Sequence, residues 1–105
     1  MKSIINGTRY DTEKAIEIGS ASANCPCSDF GYWESRLYKT PKSGRYFLAG
    51  WGGPMTRYAR SLGNNSSGGG EKIDPMTEAE ALAWAEQYLE VDEVEAAFAH
   101  LIEEA

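Results

Sequence analysis

The stretch YWESRLYKT (32–40), PKSG (41–44), RYFLAGW (45–51) decides the fold. Aromatic and apolar residues alternate with polar ones on both sides of a segment punctuated by Pro41 and Gly44. That is the pattern of two half-buried strands joined by a turn. The reading is a β-hairpin. One face would carry Trp33 and Leu37 with Phe47 and Ala49. The other would carry Tyr32, Tyr38, Tyr46 and Leu48 beside Glu34 and Arg36. Tyr38 and Tyr46 on that second face are candidate contact residues, because tyrosine is a frequent anchor at protein interfaces.

Upstream, KSIINGTRY (2–10) reads as a smaller hairpin, with Asn6-Gly7 as a type I′ turn. TEKAIEIG (12–19) fits a short helix or an edge strand. The Ile-x-Ile alternation favours a strand, with Gly19 as its stop. Residues 20–31 are small and polar, a loop. Downstream, MTRYARSL (55–62) is expected to form one or two helical turns after Pro54. Gly63–Gly70 reads as a flexible loop by composition, and EKI (71–73) as a short returning strand.

The last third is helical. Thr77-x-x-Glu80 after Pro75 is a capping box, and Asp92-x-x-Glu95 is read as a second one. At helical spacing Ala81, Leu82, Trp84, Ala85, Tyr88 and Leu89 share one side, with Glu80, Glu86, Gln87 and Glu90 opposite. Val94, Ala97, Phe98, Leu101 and Ile102 form the second stripe. Two short antiparallel helices, joined tightly near Val91, would lay these stripes on the sheet. The expected class is therefore α+β: a small antiparallel sheet (1–74) packed by an acidic helical hairpin (75–105). At 105 residues, 42% hydrophobic and 25% charged, the chain has the size and composition of one globular domain. No apolar run is long enough to span a bilayer, and MKSIINGTRY lacks a signal-peptide core, so the expected location is the cytoplasm.

Charge is divided unevenly. Residues 1–70 carry nine Lys/Arg and five Asp/Glu, a net of +4. Residues 71–105 carry Lys72 against eleven acids, a net of −10, which brings the chain to −6. Some acids support their helices. Glu78, Glu80, Glu93 and Glu95 lie in first turns, where the helix dipole favours an anion by about 0.3–1 kcal/mol. Glu90, Glu103 and Glu104 lie at helix ends, where the dipole opposes them. Glu86 and Glu90 are like charges four residues apart, which costs about 0.2–0.5 kcal/mol. Net charge speaks first to solubility. A single-sign surface kept where it costs stability points further, to recognition of a basic partner. Duplex DNA carries about one charge per 1.7 Å of its axis, and rows of carboxylates on a helix pair approach such a density. The candidate binding residues are Glu86, Glu90, Glu93, Glu95, Glu103 and Glu104.

Other chemistry is thinly represented. His100 is the one imidazole and falls on the polar side of its helix. No serine or cysteine sits in a nucleophile motif. Cys25-Pro26-Cys27 closes too small a ring for a relaxed disulfide and has no further ligands nearby for zinc, so no metal or cofactor is expected. The glycine-rich segment 52–70 has Arg57 and Arg60 but lacks the spacing of a phosphate-binding loop. These arginines are secondary candidate contacts, or partners for the chain's own acids. Basic residues interleaved with tyrosines in the 32–51 hairpin leave one alternative: nucleic-acid binding through that hairpin. The reading overall is a non-enzymatic protein, monomeric or weakly dimeric.

Three segments carry a family likeness: IINGTRYDTEKA (4–15), GGPMTRYA (52–59) and GGEKIDPMTEAEALAWAEQYL (69–89). Together they resemble short acidic accessory proteins of phages and bacterial mobile elements, a setting that includes anti-CRISPR proteins. The resemblance implies an inhibitor that binds a CRISPR–Cas effector, a Cascade-type complex being the candidate, and blocks target DNA by mimicking it. It also implies the bacterial host cell as the place of action. The shared motifs are turns, caps and core aromatics, and none is catalytic.

Overall fold

The computed structural model describes residues 1–63 and 66–105. Its centre is a four-stranded antiparallel sheet built around the 32–51 hairpin. The strands of that hairpin are β4 (Trp33–Lys39) and β5 (Tyr46–Gly52). On one side β4 pairs with β3 (Ile16–Ser22); on the other β5 pairs with β8 (Gly70–Met76). Two further hairpins complete the β structure: β1 (Lys2–Ile5) with β2 (Thr8–Asp11), and β6 (Arg60–Gly63) with β7 (Ser66–Gly68). The helices α1 (Glu78–Tyr88) and α2 (Val91–Phe98) follow, then a single 3₁₀ turn, Ala99–Leu101. The class is α+β.

Register decides which side chains meet. Thr40 N–H bonds the carbonyl of Arg45 at 2.8 Å, which closes the 41–44 turn. Counting back from there, Tyr38 lies opposite Phe47 and Leu37 opposite Leu48. Residues directly opposite share a face. Leu37, Tyr46 and Leu48 therefore point to one side, where Ala81, Trp84, Ala85 and Phe98 cover them. Tyr38, Phe47 and Ala49 point to the other, where Tyr10 and Ile73 join them. The expected pairing of Trp33 and Leu37 with Phe47 and Ala49 is one residue out of step, and a one-residue slip exchanges the faces of a strand. β5 is buried on both sides, since Tyr46, Phe47, Leu48 and Ala49 are each no more than 6% exposed. The molecule thus has three layers: helices, sheet and the β1–β2 hairpin.

That hairpin turns at Asn6 (φ 51°) and Gly7 (φ 78°), the left-handed pair a type I′ turn requires. Tyr10 meets Phe47 edge-on, with ring centres 5.3 Å apart. β3 forms as expected but runs three residues past Gly19. A bulge between Glu17 and Gly19 shifts its register against β4. Gly19 serves packing rather than termination. A Cβ at this position would stand 2.7 Å from a methyl of Leu89, so the bare backbone is what lets the residue that closes the first helix settle on the strand.

Three expectations change downstream. Residues 54–58 form turns, and no helix precedes β6. Pro54 opens a tight turn in which Thr56 Oγ1 donates to the Gly53 carbonyl at 2.8 Å, and this bond replaces a helical ladder. The expected loop over Gly63–Gly70 is largely strand, as β6, β7 and the start of β8; residues 64 and 65 of it lie outside the described residues. The strand expected over 71–73 is present and longer.

The first helix starts as read. Thr77 accepts from Glu80 N–H at 3.1 Å, and Glu80 accepts from Thr77 N–H at 2.9 Å. The second starts earlier than read. Leu89 N–H bonds the Ala85 carbonyl, closing α1, and α2 begins after only Leu89 and Glu90. Its cap position is Glu90, whose N–H donates to the Glu93 carboxylate at 3.2 Å. The same i, i+3 spacing is used two residues upstream of Asp92 and Glu95. The α-helix also ends sooner. Leu101 and Ile102, expected on the buried stripe, lie beyond it and are 37% and 42% exposed. Among the described residues no helix is long and apolar enough to cross a membrane.

Candidate partner-binding surface

α1 is held down through Ala81, Trp84 and Ala85. Trp84 also contacts Tyr88, which in turn meets Trp33 of β4 edge-on at 5.1 Å. α2 is held by one fully buried side chain, Phe98, stacked on Tyr46 with ring centres 5.4 Å apart. His100, just past α2, reaches back to Glu78 at the start of α1 at 2.8 Å, so the two helices run back along each other. With the apolar sides committed to the sheet, the acids are left outside.

All six candidate acids are exposed: Glu86, Glu90, Glu93, Glu95, Glu103 and Glu104. The ion pairs among the described residues are Arg36 with Glu17, Arg57 with Asp74 and His100 with Glu78. None draws on the six. They do not form one sheet of charge, however. Glu86, Glu95 and Glu103 rim a single cleft between α1, α2 and the residues after α2. Glu93 faces β3, where it and Asp92 border a second depression with Glu17 and Lys39, and one of its oxygens is engaged at the cap of α2. Glu80 belongs to the cap of α1. The Thr77 N–H, and after it the Thr77 side chain, hold its carboxyl below the ordinary range.

The secondary candidates divide. Tyr38 (7% exposed) and Tyr46 (2%) are core residues on opposite faces of the sheet, and neither is available for contact. The correct register explains both: each meets the layer that covers its own side. Tyr38 stacks on Phe47, and Tyr46 stacks on Phe98. Arg57 is partnered by Asp74 at 3.3 Å, one of the two roles open to it from sequence. Arg60 is exposed at the start of β6 and borders an open depression of about 760 Å³ with Trp51 and Lys72. Trp51 is 42% exposed and leans on Tyr32 at 5.3 Å. Sequence reading missed this exposed tryptophan. Its signal lies in strand parity, which sets Trp51 on the side of the sheet that Phe47 and Ala49 share, two residues past Ala49.

The groups capable of covalent chemistry are dispersed. Cys25 is half-buried and Cys27 exposed, both with free thiols. Desolvation first, and the charge of Asp29 second, push the Cys25 thiol up, the opposite of an activated thiolate. Among the described residues no group of three or more His, Cys, Asp or Glu is placed to hold a metal ion. Comparison with known protein families, curated proteins and solved structures finds no match.

Proposed function

We propose that this protein is a non-enzymatic inhibitor that presents its acidic helical hairpin to a basic, nucleic-acid-binding surface on another protein. The target class implied by the sequence resemblance is a CRISPR–Cas effector of the Cascade type in the cytoplasm of a bacterial host, where the bound hairpin would keep target DNA out. The observation that supports this reading is the state of the acids. Six carboxylates on the two helices, their link and the residues that follow are exposed and outside every ion pair among the described residues. Unpaired like charge costs stability and speeds encounter with a cationic partner, an effect that salt weakens.

A second reading, binding of single-stranded nucleic acid, is favoured by the exposed Trp51 in a depression it shares with Arg60 and Lys72, and opposed by Glu34 and Glu71, which lie directly across the strands from it. One experiment weighs the two. DNA binding by a purified effector is measured with increasing protein, using wild type and the Glu86→Lys/Glu95→Lys variant, altered at exposed positions away from the cap at Glu90, alongside a gel shift of the protein with DNA alone. The inhibitor reading expects the wild type to displace DNA, the double variant to fail with its circular dichroism unchanged, and no gel shift. Undiminished inhibition by the double variant sinks the acidic-surface mechanism. A gel shift abolished by Arg60→Glu moves the assignment to the second reading.

A further inference from the structure

The cleft rimmed by Glu86, Glu95 and Glu103 is apolar inside. Leu82 of α1, Leu89 of the link, Val91 and Val94 of α2, and Leu101 and Ile102 after it form its floor and walls, and its volume is about 470 Å³. Val91 is 69% exposed, Ile102 42% and Leu101 37%. The arrangement follows from the early end of α2. The 3₁₀ turn carries Leu101 and Ile102 off the sheet and sets them across from Leu82 instead of beneath α2.

We propose that this cleft is a docking groove for a cationic amphipathic helix of a partner protein, with large apolar side chains on one face and lysine or arginine along its flanks. The proposal rests on the helical hairpin being the docking end, and it adds what the partner must offer besides charge. Three arguments select this occupant. Every charged residue lining the cleft is an acid, so nucleic acid and anionic lipid are repelled. A second copy seated there by two-fold symmetry would bring the same three acids against these three. No strand residue lines the cleft, and the backbone groups of α1 and α2 bond within each helix, so an extended peptide finds no sheet edge there to pair with. A helix needs no such edge. Its leucine-type side chains at i, i+4 and i+7 would enter the apolar floor, and its flanking cations would meet the rim.

The test uses the full chain and three synthetic helical peptides of about 15 residues, a length of about 22 Å. The first has leucines along one face and lysines on the flanks. The second replaces the leucines by serine and keeps the charge. The third replaces the lysines by glutamate. Titration calorimetry is followed by methyl NMR of Val91, Val94, Leu101 and Ile102. Only the first peptide is expected to bind tightly, with shifts at those methyls. The Val91→Ser/Ile102→Ser variant, altered at exposed positions, is expected to bind it at least about tenfold more weakly with unchanged circular dichroism. Equal binding of the serine peptide would overturn the groove while leaving the acidic surface standing. Failure of both cationic peptides at low salt would remove both readings. A dimer in sedimentation that the double variant abolishes would assign the groove to a second copy and overturn the proposal.

Discussion

Tyr58 and Tyr46 are both 2% exposed, yet their hydroxyls are in opposite positions. Tyr58 bonds Ser35 Oγ inside the protein, whereas Tyr46 Oη has no hydrogen-bond partner among the described residues. Removing the first hydroxyl strands Ser35, itself 2% exposed; removing the second strands nothing. Tyr58→Phe should therefore cost about 1–3 kcal/mol, and Tyr46→Phe should be near neutral, in urea unfolding at pH 8. Burial pushes the Tyr58 phenol above its ordinary value of 10.0. The folded state then holds this proton more tightly than the unfolded one. The associated stability is complete below pH 10 and is lost as pH rises beyond it. Wild type should accordingly lose stability faster than Tyr58→Phe as the pH is raised above 10. Neither role is legible in the sequence, where the tyrosines look alike and Ser35 is one polar position among several in a strand.

Of the two helices, α2 is the less secured. Its eight residues place one side chain fully inside, Phe98, with Val94 and Ala97 only partly covered. α1 has three buried residues and a complete capping box. Phe98→Ala should cost about 3–5 kcal/mol, the range for a large buried aromatic. The loss should fall on α2 first. Hydrogen exchange is expected to show Val91–Phe98 amides losing protection while those of β4 and β5 keep theirs; uniform loss would mean that α2 is not a separable unit. Both helices were readable from periodicity and caps. The true start of α2 was not, because Glu90-x-x-Glu93 and Asp92-x-x-Glu95 present the same spacing and only the length of the link chooses between them.

Over the whole molecule, electrostatics is dominated by repulsion. The described ion pairs of Arg36 and Arg57 are exposed, and such pairs contribute about 0–1 kcal/mol each. Six exposed carboxylates lie outside these pairs in a chain of net charge −6. Salt should therefore stabilise this protein. Raising sodium chloride from about 0.02 to 0.5 M shortens the screening length severalfold and should raise the melting temperature by about 2–5 °C. A fall would mean that attractive pairs outweigh the repulsion. The same free charge is available to a cationic partner, which would relieve the repulsion on binding and make that binding salt-sensitive.

By itself the sequence determined the kinds of element and their order over most of the chain: the Asn6-Gly7 turn, the 32–51 hairpin, the Thr77 cap and the concentration of acids in the last third. These signals are local, written in spacings of two to four residues. Tertiary structure decided which face each aromatic residue took, since a shift of one position in strand pairing exchanges the two sides of a strand and sent Tyr38 and Tyr46 into the core. It also decided the cleft. Leu82, Val91 and Ile102 are far apart in the chain, and they meet only because α2 ends early and the residues after it turn back across α1.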